Sequence, residues 1–326
     1  MSAQPTGDLP ALRDATVLVT GGCGFIGSHL VRRLLAEGSR VVVLDSLRYG
    51  DAANLGADAD RIRLVRATLG HAPRAVLEDA CRGADLLVHL AAEKHNQSRD
   101  DPDAVLTANV LGTRLLFECA AAAGVRKTVF ASSLYAYGRL TGPPMDEAEV
   151  PLPATIYGIS KLCGERLLAH YASPDGMHGD VLRYFFVYGP RQFAGMGYKS
   201  VILRNFERLA RGEAPRIFGD GRQALDYVYV DDVVAATLRA LCAPTSGALL
   251  NVASGVAVRV AELTAAMCTA AGSALAPVHE PPDWTAGSCR AGTNARIRAA
   301  LDWTPRVPLA EGLARTWAWM REAPAA

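Results

Sequence analysis

The sequence predicts an α/β protein, a doubly wound parallel sheet followed by a smaller C-terminal α/β lobe. Three observations carry this. Short β-branched runs alternate with longer stretches of helical periodicity from Ala15 onward, the rhythm of right-handed βαβ units. Three glycines, Gly21, Gly24 and Gly27, stand three apart between the first such run and the first helical stretch. Half of the 326 residues are apolar, enough to bury a core of ordinary size.

The elements follow in order. Thr16-Val17-Leu18-Val19-Thr20 reads as a buried strand, and Ile26, Leu30 and Leu34 recur at helical spacing over residues 25–37. Gly38 closes that helix, and residues 41–45 form a second strand ending in Asp45. Strands are expected at 62–65, 86–90 and 128–131, with helices at 75–81 and 104–123 between them. Proline at 143, 144, 151 and 153 makes that region a loop over the strand ends. A helix resumes near Tyr157 and runs to about Tyr171. Past Gly189-Pro190 the pattern loosens into helices at 201–210, 233–241, 260–271 and 309–320 and a short strand at 248–252. The expected division is a cofactor domain over 14–180 and a mainly substrate-binding lobe over 181–326, with strands near 181–185 and 226–230 returning to the main sheet.

Composition narrows the function. Lysine plus arginine (34) nearly equals aspartate plus glutamate (33), so no basic stripe for nucleic acid is expected. No apolar run is expected to reach the ~20 residues that span a bilayer, and the first fourteen residues lack the centre of a signal peptide. A cytosolic location follows. The seven cysteines show no paired metal-ligand spacing and read as reduced packing residues. No metal is expected.

A glycine turn between strand and helix lets the backbone bend sharply and aims helix N–H groups at a pyrophosphate. Asp45, roughly 20 residues on, stands where a carboxylate accepts from an adenosine ribose and repels a 2′-phosphate. The first lobe is therefore expected to be Rossmann-type and to bind NAD in preference to NADP. Tyr157 and Lys161 lie at i and i+4 on one helix face, so the ammonium, helped by an oxidised nicotinamide, can stabilise a phenolate that acts as a base. Ser133 ends a strand at the edge where open parallel sheets bind ligands, and its hydroxyl can hold the reacting oxygen.

These residues resemble the extended short-chain dehydrogenase/reductases, in particular the nucleotide-sugar epimerases and dehydratases. Thr20 to Gly27 is similar to the TGxxGxxG cofactor loop, including Phe25 and Ile26, and Tyr157 to Lys161 to the YxxxK pair. His89-Leu90-Ala91-Ala92 resembles the strand end beside the nicotinamide ribose, and Asn109 lies in an NVxGT segment. Val187 to Arg191, Gly219-Asp220-Gly221 and Tyr229 to Asp232 match later landmarks. The resemblance implies that Leu90, Ala91, Ala92, Lys94 and Asn109 join the glycine loop and Asp45 around the cofactor. It also implies a homodimer built on the helices at 104–123 and 157–171.

The departures fall at substrate positions. Phe186 replaces an asparagine and Leu225 an arginine that in relatives help to bind the substrate diphosphate, and leucine cannot replace the charge-assisted bonds of a guanidinium. Either Arg191, Lys199, Arg204 or Arg290 takes over, or the substrate presents something different. Thr68 replaces an aspartate that bonds adenine in relatives. Lys94, Ser98, Ser133, Phe186, Arg191 and Lys199 are the expected substrate contacts, with Asn96 and His95 in the same loop. His89 reads as a satisfied strand-end residue, Trp284 and Trp303 as anchors, and Asp231 and Asp232 as caps of the following helix.

Dehydratase relatives carry Asp and Glu directly after the residue matching Ser133, because eliminating water needs an acid and a base there. Here Leu134 and Tyr135 follow. Reversible oxidation without elimination remains, with 4-epimerisation of a UDP- or dTDP-sugar its commonest form. A sugar dehydrogenase with net redox change and a non-catalytic NAD-binding protein are the alternatives.

Overall fold

The computed structural model describes residues 10–138, 144–192, 199–283 and 285–322. Gly142 and Pro143 of the proline-rich loop and Trp284 lie outside them. The strands are β1 (Thr16–Thr20), β2 (Arg40–Asp45), β3 (Ile62–Arg66), β4 (Leu86–His89), β5 (Lys127–Ser133), β6 (His178–Tyr184), β7 (Phe186–Tyr188), β8 (Arg216–Phe218), β9 (Ala224–Leu225), β10 (Tyr227–Tyr229), β11 (Leu249–Val252), β12 (Val258–Arg259), β13 (Val278–Glu280) and β14 (Cys289–Arg290).

Seven strands form one sheet in the order β3-β2-β1-β4-β5-β6-β11, with every neighbouring pair parallel. The chain starts in the middle at β1, winds outward to β3, then returns and winds the other way, so the crevice lies where the direction reverses beside β1. The sheet is buried on both faces. Val17, Val19, Val43, Leu30 and Leu34 lie in a cluster on one side, and Leu18, Val42, Leu87, Phe117 and Phe130 in a cluster on the other. A third cluster, with Tyr188, Phe206, Tyr227 and Leu263, is the core of the C-terminal part.

Two strands fall differently from expectation. Leu249–Val252, read as part of the smaller lobe, pairs with β6 as the seventh strand of the main sheet. The 226–230 segment does not return there; Tyr227–Tyr229 pairs with Phe186–Tyr188 instead. The backbone makes the change within two residues, since Phe185 N–H donates to Val252 in the main sheet while Phe186 N–H donates to Asp226 in the small one. The crevice is thus walled on its far side by the small sheets.

Pro102–Ala122 runs as one helix of 21 residues, long and apolar enough by length and composition to cross a membrane, contrary to expectation. Its Leu116, Phe117, Cys119 and Ala120 are buried against the sheet and its exposed surface carries the Arg114–Glu118 ion pair, so it is a covering helix of the α/β layer. Asp231 and Asp232 do not cap the helix Val230–Cys242. Asp232 accepts the backbone N–H groups of Arg306 and Val307, and Asp231 faces His29 and Arg315. Trp303, buried, donates to the Asp232 carbonyl.

Candidate active site

The glycine turn is set by close approach. Gly21 takes φ +72°, and a Cβ there would lie 2.9 Å from the Ala91 nitrogen; a Cβ on Gly27 would lie 2.0 Å from the Gly21 carbonyl oxygen. Gly24 caps the helix Phe25–Ala36 without any side-chain cap, which leaves the first N–H groups directed at the crevice. Asp45, at the end of β2, accepts Cys23 N–H at 2.9 Å and Leu47 N–H at 2.8 Å. A carboxylate has about four acceptor positions, so capacity for a diol remains. Helix N-terminus, bare glycine face and neighbouring acid fit a dinucleotide.

A cavity of about 550 Å³ runs along the strand ends. Gly21, Gly24, Phe25, Ile26, Gly27, Asp45, Thr68, Leu90, Ala91, Ala92 and Lys94 line its first part; Ser133, Tyr157 and Lys161 line its middle, with Phe186 and Leu225 beyond. The Ser133 hydroxyl and the Tyr157 phenol line the same stretch of cavity wall. Burial holds that phenol above its ordinary range, with the neighbouring Ser133 hydroxyl pulling the other way. Lys161 is also buried, which pushes it down to about 8 from an ordinary 10.5. Its ammonium donates to the Ala131 carbonyl at 2.8 Å and stands 5.7 Å from the centre of the Tyr157 ring. The ammonium thus stands beside the phenol, and the positive charge of an oxidised nicotinamide in the cavity would add to its field.

One turn further along the helix Ile156–Tyr171, Glu165 accepts from Arg183 at 2.8 and 2.7 Å and from the Ser132 hydroxyl at 2.5 Å. Breaking such a buried, hydrogen-bonded pair costs several kcal/mol, about 3–5. The pair pins this helix to β5 and β6.

Four expected ligands act otherwise. Asn109 accepts Glu93 N–H at 2.7 Å and donates to the Glu93 carbonyl and Ser160 hydroxyl, each at 3.1 Å, so it shapes the loop after β4 from a π-helical turn (Thr107–Gly112) instead of facing the cofactor. Ser98 accepts Tyr157 N–H at 2.9 Å, at the start of the helix Ile156–Tyr171. Arg191 reaches back to the Ser28 hydroxyl at 3.1 Å, and Lys199 is held by both oxygens of Glu207 at 2.7 and 2.9 Å. None of the four lines the cavity. Arg204 does, with its guanidinium 4.8 Å from the centre of the Phe218 ring.

Aromatic rings add to the wall. His95 stacks on Tyr135 at 4.1 Å, both rings meet Tyr157 edge-on at 5.9 Å, and Arg290 packs over Tyr135 at 5.5 Å. Tyr49, Arg216, Gln223 and Tyr227 also line the cavity. Arg216 and Gln223 flank the Gly219-Asp220-Gly221 landmark, a local signal that could have marked them; Tyr49 carries no pattern beyond its place four residues after Asp45.

His89 is fully buried, and its ring nitrogens share hydrogen bonds with the hydroxyls of Thr20 at 2.6 Å and Thr113 at 2.9 Å. Burial, reinforced by the Lys161 charge, pushes it down to about 3 from an ordinary 6.5. It is a neutral structural group. The unfolded chain takes up this proton below about 6.5 and the folded chain only near 3, so stability present at neutral pH is lost as pH falls through that window. Between about pH 7 and 5 the loss from this group is about 2 kcal/mol. Urea unfolding at both pH values should show a correspondingly smaller pH dependence in His89→Asn; an unchanged dependence would assign the acid sensitivity elsewhere.

Comparison with known proteins agrees with this geometry. Residues 17–253 match the model of the NAD dependent epimerase/dehydratase family. The UDP-glucose 4-epimerase of Mycolicibacterium smegmatis is 39% identical over 310 residues, covering 93% of this chain and 98% of that protein. The dTDP-glucose 4,6-dehydratase of Streptomyces griseus is 35% identical over 314 residues, covering 93% of each. The UDP-glucose 4-epimerase of Thermus thermophilus, solved with NAD, superposes with a TM-score of 0.84 at 34% identity, covering 95% of this chain and all of that one, 100%. With its glycine turn, strand-end acid and serine, tyrosine and lysine in one crevice, this chain belongs to the NAD-dependent epimerase/dehydratase family of extended short-chain dehydrogenase/reductases.

Proposed function

We propose that the protein is a UDP- or dTDP-sugar 4-epimerase that works in the cytosol as a homodimer. The observation that carries the reading is Ser133, Tyr157 and Lys161 gathered on the wall of one cavity, with Ser133 followed in sequence by Leu134 and Tyr135 where an elimination would need carboxylates. Leu134 is buried and Tyr135 is stacked on His95, so neither supplies the paired acid and base of a dehydratase. The most similar relatives named above act on UDP- or dTDP-glucose, which supports the substrate class.

In this reading Tyr157, as phenolate, takes the proton from a sugar hydroxyl and returns one later. The Ser133 hydroxyl donates to the same oxygen while it becomes a carbonyl. NAD, when bound, supplies the positive charge that the phenol needs and accepts and returns the hydride. Lys161 contributes its ammonium beside the tyrosine, held in place through Ala131. The keto-sugar turns over in the space between Tyr135, Phe186 and Leu225, with Arg204 as a cation for the substrate's distal part.

Leu106, Leu111 and Ile159 are exposed on Pro102–Ala122 and Ile156–Tyr171, Leu111 by 58%, which supports pairing of two copies through these helices. Seven free cysteines fit a reducing compartment. The function is tested by incubating purified protein, with no added cofactor, with a panel of UDP- and dTDP-sugars and following the products by NMR. Inversion at one carbon is expected. A deoxy-keto product, or accumulation of NADH, would overturn the assignment.

A further inference from the structure

The segment that follows β2 is tied to the glycine turn at several points. Asp45 accepts Cys23 N–H, while Asp51 N–H at 3.1 Å and the Asn54 amide at 2.9 Å both donate to the Cys23 carbonyl. Between these anchors, Arg48 and Tyr49 extend away from β2. Arg48 donates to one oxygen of Glu93 at 2.7 Å, and the Tyr49 hydroxyl donates to the other at 2.6 Å. The Lys94 ammonium lies 4.3 Å from the centre of the same tyrosine's ring.

Glu93 is buried and belongs to the loop after β4, where Asn109 grips both its N–H and its carbonyl. The contact therefore joins two fixed points. In the sheet β2 and β4 lie on either side of β1, whose end carries the glycine turn. A bridge from the β2 loop to the β4 loop has to cross the end of β1. Tyr49, Glu93 and Lys94 line the same cavity as Gly21, Gly24 and Asp45, so the bridge closes over the dinucleotide groove and is not a surface ion pair elsewhere.

We infer that Arg48 and Tyr49, clasped by Glu93, form a strap over the cofactor groove that must open before NAD can leave, so that the enzyme keeps its cofactor between turnovers. This rests on the epimerase reading and deepens it. An enzyme that returns its hydride to the same substrate has no need to exchange cofactor, whereas one that releases a redox product must exchange it each cycle. Both bonds of the clasp end on one carboxylate and one of them comes from a guanidinium, a strong kind of hydrogen bond, and Glu93 loses both when the strap lifts.

The test loads the holoenzyme with radiolabelled NAD, adds a large excess of unlabelled NAD and follows loss of label on a filter. The Arg48→Ala/Tyr49→Phe double variant should release NAD about 10- to 100-fold faster than wild type, the range expected for charge-assisted hydrogen bonds. Tyr49→Phe alone, which removes one hydroxyl, should give a smaller acceleration and serves if the Arg48 change disturbs folding. Release rates equal to wild type in both variants overturn the strap whatever reaction is catalysed. Net NADH formation by wild type overturns the epimerase reading, while the strap is still judged by the ratio of variant to wild-type release.

Discussion

Tyr157→Phe should lower kcat by roughly 10³, within the range of a positioned general acid–base group, while the protein purifies with its normal complement of NAD. The substitution removes only the phenol oxygen from the cavity wall and leaves Lys161 on the Ala131 carbonyl. Ground-state binding changes little, so kcat and kcat/KM should fall together, the signature of an interaction made in the transition state. Initial rates by chromatography of the sugar nucleotides, with NAD quantified after denaturation, measure both. A fall of less than about tenfold would transfer the proton step to another group, of which His95 and Tyr135, both 5.9 Å from the Tyr157 ring centre, are the nearest aromatic candidates.

Gly27→Ala should abolish cofactor retention, weakening NAD by roughly 100-fold or more, and lower the melting temperature as well. The new methyl would stand 2.0 Å from the Gly21 oxygen. Gly21 cannot retreat, because its own α-carbon already faces the Ala91 backbone and its carbonyl accepts the Gly24 N–H at 3.1 Å. Gly24→Ala is the informative contrast. Its methyl would approach only the Gly21 oxygen, at 3.2 Å, and would project into the crevice. NAD binding should fall in both variants, but thermal stability chiefly in Gly27→Ala. Equal melting temperatures for Gly27→Ala and wild type would contradict the packing described for the turn.

What the sequence revealed and what it concealed divide by the range of the interactions. The glycine turn, Asp45, Ser133, Tyr157 and Lys161 were legible because each is fixed locally, at a strand end or one helical turn from its partner, and parallel strand ends necessarily share one edge. The roles of Ser98 and Arg191 were hidden because their partners, Tyr157 N–H and the Ser28 hydroxyl, lie 59 and 163 residues away. Lys199 looked like an anion ligand until the helix Val201–Ala210 brought Glu207 beside it. The seventh strand was misplaced for a similar reason. Leu249–Val252 has the pattern of any short buried strand, and only pairing with β6 assigns it to the main sheet. The Tyr49–Glu93 contact joins two loops separated by 44 residues and leaves no periodic trace.

The most direct measurement uses a UDP-sugar carrying deuterium on the carbon that inverts, turned over in a large excess of free unlabelled NAD and NADH. Mass spectrometry of the epimer should find the deuterium retained, because the hydride taken from each sugar returns to that sugar from a cofactor that never leaves the crevice. Loss of the label to the free pool would contradict this, and with it the central role given to Tyr157 and Ser133 in a closed, self-restoring oxidation.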